Sequence, residues 1–146
     1  MAGSLGDFLC FAIYSTNLAF GRVYKPLFDE LGLTYLQYAA LIALKEKDGQ
    51  TVGQLGEKLY LDSSTLTPLL KRLEAMGRVT RRRDPEDERQ VRVSLTGAGR
   101  EIFERAFCGR TAVIEATGLE HDAFLRLQRD LVTLRDNLLS SVKEKG

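Results

Sequence analysis

The sequence predicts a mainly α-helical chain that carries one small β-hairpin. Apolar residues recur at helical spacing through most of the 146 residues, most extensively near the two ends. Between these ends, two short helical segments are joined by a tight turn, and two alternating segments with a polar tip follow them. This order of elements is that of a winged helix-turn-helix, in which the hairpin is the wing.

Composition and charge fit a globular domain of this size. The chain is 44% hydrophobic and 28% charged, and it contains no run of about 18 apolar residues. The start, MAGSLGDF, lacks the basic and apolar regions of a secretory signal, so we expect a cytoplasmic protein without a membrane segment. The net charge is +1, but residues 71–92 hold eight basic and five acidic residues. That local excess is compatible with phosphate binding, and about equally with a solvated charged surface.

Metal and cofactor chemistry has little support in the sequence. Cys10 and Cys108 are the two cysteines, and His121 is the single histidine. Their spacing matches no zinc-ligand pattern, so we expect neither a metal nor a cofactor. In a reducing cytosol the two cysteines are free thiols or a regulated pair.

The first long helix is expected from about Ser4 to Leu31. Ser4 or Asp7 can cap its start, and Gly32 marks its end. Pro26 predicts a kink or break near the C-terminal end.

The second helix is predicted from Tyr35 to Lys47, with Thr34 as its cap. A shorter helix around Leu55 follows the Asp48-Gly49 turn, and a turn then leads into a helix that starts at Ser63. Four leucines form the buried face of that helix, namely Leu66, Leu69, Leu70 and Leu73.

The segments RVTRRR and QVRVSL are predicted as the strands of the hairpin, with DPEDER at its tip. Thr96 caps a further helix that Gly118 interrupts, and a last helix runs from about Glu120 to Lys143. Its apolar residues follow a heptad spacing, at Phe124, Leu127, Leu131, Leu134 and Leu138. This seam packs either against the chain's own first helix or against a second copy, and the extent of apolar surface favours the second copy.

The helix that starts at Ser63 offers a DNA-reading face opposite its leucines. Small hydroxyl residues can approach bases or phosphates closely, while basic residues meet phosphates or guanine. The face consists of Ser63, Ser64, Thr65, Thr67, Pro68, Lys71 and Arg72. At the wing tip we expect Asp87 to orient a neighbouring arginine while Arg89 enters a minor groove. A purely structural salt bridge is the alternative.

The string LTPLLKRLEAMGRVTRRRDPEDERQVRVSLTGAGR resembles the recognition helix and wing of MarR-family repressors, and the similarity extends over nearly the whole chain. The resemblance implies a homodimer on a pseudo-palindromic double-stranded DNA operator. We expect a single domain over residues 1–146. Within it, residues 35–99 form the DNA-binding winged helix, and residues 1–34 and 100–146 supply dimerisation helices.

Within that family, LCFAIYS, VYKPLFDELGLTYLQY and LYLDSSTLTPLLKRLE resemble the organic hydroperoxide resistance regulators. The resemblance implies that an organic hydroperoxide oxidises Cys10 and thereby releases DNA. It also implies that Tyr24 and Tyr35 hydrogen-bond the sulfur. Some relatives have a second cysteine that resolves the oxidised one. Cys108 falls earlier than that position, so it is either a resolving thiol or a core thiol, and a small cellular thiol is the other resolving partner.

The spacing of Cys10 and Tyr24 carries a separate consequence. Their separation of 14 residues puts them on nearly the same face of one helix, yet about 21 Å apart along its axis. If they meet, Tyr24 must come from the other subunit of a dimer.

Two other functions compete with the peroxide sensor. A MarR-type repressor can instead be released by reversible binding of a small aromatic molecule beside the first helix. A thiol peroxidase would leave the wing unexplained and lacks recycling residues near Cys10, so we expect a regulator and not an enzyme.

Overall fold

The computed structural model describes residues 3–146, which divide into two compact units, residues 3–110 and 111–146. The first unit holds five helices and three strands. They are α1 (Leu9–Leu31), α2 (Tyr35–Glu46), β1 (Gln50–Thr51), α3 (Val52–Leu59), α4 (Ser63–Ala75), β2 (Val79–Arg83), β3 (Val91–Leu95) and α5 (Gly97–Cys108). Helix α6 (Arg110–Ala116) begins at the last residue of this unit, and α7 (His121–Glu144) belongs to the second unit.

The first helix starts later than the sequence predicts. Ser4 and Asp7 belong to a separate 3₁₀ turn, in which the Asp7 carboxylate accepts a hydrogen bond of 2.8 Å from the Ser4 backbone N–H. The predicted capping of the long helix by these residues is therefore wrong. Gly32 ends α1, as predicted, and it does so in the left-handed conformation. Pro26 does not break α1, which continues to Leu31.

The helix-turn-helix and the hairpin are where the sequence places them. Thr34 caps α2, accepting a hydrogen bond from the backbone N–H of Gln37 at 3.2 Å. Strands β2 and β3 pair antiparallel, and β1 joins the other edge of β3 to give the order β1-β3-β2. Strand β1 was not predicted, because two residues are too short to produce a visible alternation.

The core of the first unit lies where α2, α3 and α4 pack on one another and on the sheet, α2 and α3 against β3 and α4 against β2. All four leucines predicted for the inner face of α4 are buried. The largest completely buried side chains are Leu41, Leu44, Leu55, Leu66, Leu70, Leu73, Val79 and Val93. Their burial fixes the orientation of α4, so the polar face of this helix is held outward.

The helix capped by Thr96 ends earlier than expected, at Cys108 and not at Gly118. Gly109 follows it, at a point where α5 approaches α1. A Cβ atom at Gly109 would lie 2.6 Å from Cδ2 of Leu27, so any other residue at this position would displace the Leu27 side chain. The backbone of Gly118 adopts a positive φ of 66° after α6.

Helix α7 matches the predicted last helix to within one residue at each end. Its heptad seam is exposed or half-buried in the single chain, with Leu127 at 48% and Leu138 at 57% exposure. Over residues 3–146, the structure contains no helix with the length and apolar character of a membrane span.

Candidate functional site

The start of the recognition helix α4 is organised by Asp62. The Asp62 carboxylate accepts hydrogen bonds from the Ser64 hydroxyl at 2.6 Å and from the Thr65 backbone N–H at 2.9 Å. These bonds, that of Ser64 above all, lower the pKa of Asp62. Asp62 therefore stays ionised at neutral pH and fixes the first turn of the helix.

The predicted reading face of α4 lies outward. Ser63, Ser64, Thr65, Pro68, Lys71 and Arg72 are exposed, and Thr67 is half-buried. Pro68 lies inside the helix and has no N–H, so the carbonyl of Ser64 lacks its helical donor. The arrangement presents small hydroxyls near the start of the helix and two cations further along it.

At the wing tip, Arg89 and Asp87 contact each other. The Arg89 Nε lies 3.1 Å from the Asp87 carboxylate, which also accepts the Arg89 backbone N–H at 3.2 Å. The Arg89 side chain is 91% exposed. The carboxylate thus orients a guanidinium that solvent surrounds on its other sides.

The base of the wing is fixed by Asp84, which the sequence did not single out. Asp84 is buried, and it accepts hydrogen bonds from the backbone N–H of Glu86 at 2.9 Å and from Arg92 Nε at 2.8 Å. The Glu86 bond and then Arg92 hold its pKa below the usual range. Arg92 also donates to the Gly49 carbonyl at 2.9 Å, which ties the wing to the segment before β1.

Cys10 is the second residue of α1, and its side chain is exposed in the single chain. Tyr24 lies on the same uninterrupted helix, about 21 Å further along at 1.5 Å per residue. The structure therefore does not bring Cys10 and Tyr24 together within one chain.

Tyr24 and Tyr35 do come together, with ring centroids 5.9 Å apart. Tyr24 stacks on Phe28 at 4.8 Å, and Tyr38 packs against both rings, 6.3 Å from Tyr24 and 5.5 Å from Phe28. Tyr38 is 3% exposed and was missed by the sequence analysis. Its position three residues after Tyr35, on the same face of α2, is the signal that could have revealed it.

The environment of these phenols favours their protonated form. Burial raises the pKa of Tyr24, and Tyr35 raises it further, while the positive charge of Arg110 acts in the opposite direction. Burial likewise raises the pKa of Tyr38. Tyr24 and Tyr38 are therefore neutral hydrogen-bond donors at physiological pH.

Cys108 is the last residue of α5 and is exposed, so the alternative of a core thiol is wrong for the single chain. Its neighbour Gly109 lies against Leu27, three residues beyond Tyr24 on α1. Cys108 consequently lies near the C-terminal half of α1, whereas Cys10 lies at the other end of that helix.

Known proteins share both the sequence and the fold of this chain. The family model described as transcriptional regulator SarA/Rot matches residues 22–106. The organic hydroperoxide resistance transcriptional regulator of Bacillus subtilis is 42% identical over 89% of this chain and 88% of its own length. The HTH-type transcriptional regulator TtmR of Methylorubrum extorquens is 47% identical over 92% of this chain and 69% of its own length.

Among solved structures, that of reduced AbfR bound to DNA has a TM-score of 0.80 and 33% identity, covering 94% of both chains. A disulfide-formed structure of AbfR has a TM-score of 0.65 and 35% identity, covering 89% of this chain and 91% of that one. The chain therefore belongs to the winged-helix transcriptional regulators of the MarR and SarA/Rot type, in the group of the organic hydroperoxide resistance regulators.

Proposed function

We propose that this regulator is a cytoplasmic repressor that is released from its operator when an organic hydroperoxide oxidises Cys10. The observation that carries the proposal is the exposed Cys10 thiol in the first turn of α1, on the same helix as Tyr24, which it cannot reach within one chain and which pairs with Tyr35 of α2. The thiolate is the reactive form of a cysteine, and the exposed position of Cys10 leaves its sulfur open to a peroxide.

The oxidation step is a two-electron transfer. The Cys10 thiolate attacks the terminal oxygen of the hydroperoxide, so an S–O bond forms while the O–O bond breaks. The leaving alkoxide takes the proton of that terminal oxygen and departs as an alcohol, which leaves a sulfenate on Cys10. The sulfur is oxidised and the peroxide is reduced, and no further oxidant is required.

The phenols take part if the protein is a homodimer. Two chains arranged so that the start of one α1 meets the middle of the other would bring Cys10 of one subunit to Tyr24 and Tyr35 of its partner. Phenol hydroxyls at that point would stabilise the thiolate and the leaving alkoxide by donating hydrogen bonds. Exposed apolar side chains at both ends of the chain support such a pairing, among them Leu5, Phe8, Leu9, Ile13, Leu127, Leu131 and Leu138.

Operator binding would use α4 and the wing of each subunit. Helix α4 enters a major groove with Ser63, Ser64, Thr65, Thr67 and Pro68 near the bases, and Lys71 and Arg72 near phosphates or guanine. Arg89, oriented by Asp87, enters the adjacent minor groove. For a symmetric dimer we expect two half-sites whose centres lie about 34 Å apart, which is one turn of DNA.

Cys108 is the candidate for resolving oxidised Cys10. Because its neighbour Gly109 packs on Leu27, the two cysteines of one chain lie toward opposite ends of α1. A disulfide would therefore join Cys108 to Cys10 of the other subunit, with release of water from the sulfenic acid. The disulfide-formed structure of AbfR supports disulfide chemistry on this fold. A small cellular thiol is the alternative partner, and a non-reducing gel of the oxidised Cys108→Ser variant distinguishes the two.

The test is a binding titration of the wild-type protein on its own upstream promoter DNA. Cumene hydroperoxide is expected to abolish binding, and dithiothreitol to restore it. Cys10→Ser is expected to bind DNA and ignore the peroxide. A Cys10→Ser variant that still releases DNA would refute the proposal, and it would favour release by a reversibly bound aromatic molecule.

A further inference from the structure

Arg78 follows the turn at the end of the recognition helix α4, and its backbone closes that helix. Its backbone N–H donates to the Leu73 carbonyl at 2.9 Å, and Gly77 before it adopts the left-handed conformation, with a φ of 72°. The Arg78 carbonyl accepts a hydrogen bond of 3.2 Å from the backbone N–H of Thr96, the cap of α5. The backbone of one residue therefore joins the end of α4 to the start of α5.

The side chain of Arg78 reaches the end of a different helix, α1. Nη2 donates to the Leu31 carbonyl at 3.0 Å, and Nη1 donates to the Gly32 carbonyl at 3.4 Å. The last carbonyls of a helix lack intrahelical donors and carry the negative end of the helix dipole, so a cation is stabilised there. Burial lowers the pKa of Arg78, but the guanidinium stays charged, as arginine does in proteins. Arg78 thus caps α1 from a position 47 residues further along the chain.

The recognition helix and the wing are fixed to each other beside this contact. The Glu74 carboxylate of α4 accepts hydrogen bonds of 3.2 Å from the backbone N–H of Arg81 and 3.2 Å from its Nη2. Glu74 precedes Arg78 in the chain, and Arg81 follows it in strand β2. Because α4 and β2 are bonded to each other on the two sides of Arg78, a displacement of Arg78 moves the recognition helix and the base of the wing together.

We propose that Arg78 is a positioning residue that transmits oxidation of Cys10 to the DNA-binding elements. This inference rests on the proposed function and deepens it, since it names the residue through which release is regulated. In the proposed dimer, Cys10 of one subunit lies at Tyr24 of the other, and Tyr24 is seven residues, about 10 Å, before Leu31 on the same helix. A shift of α1 at Tyr24 moves the carbonyls to which Arg78 donates, and Arg78 moves α4 and β2 in turn.

The test measures the operator affinity of the full-length protein by fluorescence anisotropy, before and after oxidation with cumene hydroperoxide. The ratio of the two dissociation constants reports the coupling, and it cancels any loss of affinity that both states share. Arg78→Gln should lower this ratio by about two- to thirtyfold relative to the wild type, the range found for residues that carry coupling. The rate of Cys10 oxidation should not change, because the side-chain hydrogen bonds of Arg78 go to the end of α1 and not to the phenols.

Two other variants show whether the hydrogen bonds or the charge of Arg78 matter. Arg78→Lys keeps the charge and a donor, so it should retain part of the coupling. Arg105→Gln is the matched control, because Arg105 is an exposed arginine of α5 whose charge lies near enough to contribute to the lowered pKa of Arg78. The Leu31 and Gly32 carbonyls keep their bonds to Arg78 in this control, so the ratio should equal that of the wild type.

Amide hydrogen exchange, followed by NMR without DNA, gives a second measurement that needs no variant. Oxidation of the wild type should speed the exchange of the backbone N–H groups of Arg78 and Thr96, because both bonds lie where the end of α4 meets α5. In Arg78→Gln, oxidation should leave the exchange at these two positions unchanged. The wild-type result decides the question even if Arg78→Gln does not fold.

Two outcomes would overturn this inference while the sensor stands. One is an affinity ratio in Arg78→Gln equal to that of the wild type, which would place the coupling in the contact between α1 and α2. The other is an unchanged exchange of both N–H groups in the oxidised wild type. If the peroxide oxidises Cys10 in the wild type and operator affinity stays the same, the proposed function fails, and this inference fails with it.

Discussion

The rings of Tyr24 and Tyr35 lie 5.9 Å apart although they belong to different helices, and this contact joins α1 to the first turn of α2. Helix α2 packs on α3 and α4, so a change at the phenols has a direct route into the DNA-binding elements. The rings of Phe28 and Tyr38 fill the space behind this pair and limit its movement. The candidate effector site is therefore connected to the candidate DNA-reading helix α4 through packed helices of the same unit.

The first prediction concerns which chain supplies the phenol. A mixed dimer is made from one Cys10→Ser chain and one Tyr24→Phe chain, so that its single Cys10 shares a chain with Phe at position 24. If the phenol comes from the partner, this Cys10 meets an intact Tyr24, and peroxide oxidises it at the wild-type rate. Stopped-flow measurement of thiol loss checks this expectation.

The homodimer of Tyr24→Phe is the control for that experiment, and we expect slower oxidation there by about tenfold, which corresponds to one lost hydrogen bond to a charged group. If Cys10 of the mixed dimer is oxidised as slowly as in this homodimer, Tyr24 acts on Cys10 of its own chain. That result would exclude the proposed arrangement of the two subunits.

The second prediction separates a functional from a structural role for the Asp87–Arg89 contact. Arg89→Ala should weaken operator binding by about 1–3 kcal/mol, as the loss of a groove contact does. Asp87→Ala should weaken it less, because the guanidinium remains but loses its orientation. The double variant should bind no worse than Arg89→Ala, since the two residues act as one unit. Fluorescence anisotropy with labelled operator measures all three.

Arg126→Ala, on the exposed side of α7, is the charge-matched control for the wing. If it weakens binding as much as Arg89→Ala, the effect is one of net charge. If neither wing variant changes affinity while both lower thermal stability, the contact is structural.

The third prediction concerns the stability of the fold at low pH. The folded pKa of Asp84 is lowered, so its ionised form stabilises the fold at neutral pH, and that contribution disappears as the pH falls below about 4 through the folded pKa. Asp84→Asn should therefore have a smaller free energy of unfolding than the wild type at pH 7. The difference between the two free energies of unfolding should become smaller towards pH 3. Urea unfolding at several pH values tests this. The same experiment on Asp130→Asn, an exposed carboxylate of α7, should show no such convergence.

The fourth prediction uses two glycines of the same helical turn. A Cβ at Gly99 would lie 2.0 Å from the Arg78 carbonyl oxygen, whereas one at Gly97 would meet nothing within 4 Å. We expect Gly99→Ala to destabilise the protein by about 1–3 kcal/mol, because the backbone at the base of the wing must shift. Gly97→Ala should be neutral or slightly stabilising. Equal unfolding midpoints for the two variants would contradict the close packing of α5 on the backbone of Arg78, just before β2.

Features that depend only on residues close together in the chain could be predicted from the sequence. The buried leucine face of α4, the caps at Thr34 and Thr96, and the end of α1 at Gly32 all have local causes, and all are confirmed. The family resemblance implies that Tyr24 and Tyr35 both hydrogen-bond the Cys10 sulfur, which stays a prediction, whereas the contact between their two rings is a finding of the structure.

Features that depend on contacts between distant segments were missed. Strand β1 exists because Gln50 and Thr51 meet β3, and the break after Cys108 occurs where Gly109 meets Leu27. Similarly, Tyr38 packs on the Phe28 ring of α1, and Arg110 lies over the Phe107 ring of α5. None of these contacts leaves a periodic signal along the chain.

Pro68 has one more consequence. Because it offers no N–H to the turn before it, the carbonyl oxygen of Ser64 lacks the helical hydrogen bond that the residue at position 68 would otherwise donate. That acceptor belongs to the main chain, so replacing the Ser64 side chain does not remove it. Any exocyclic amine of cytosine or adenine that approaches this point would thus be recognised by the peptide backbone itself, and discrimination there would survive side-chain mutagenesis of the helix for as long as the proline is kept.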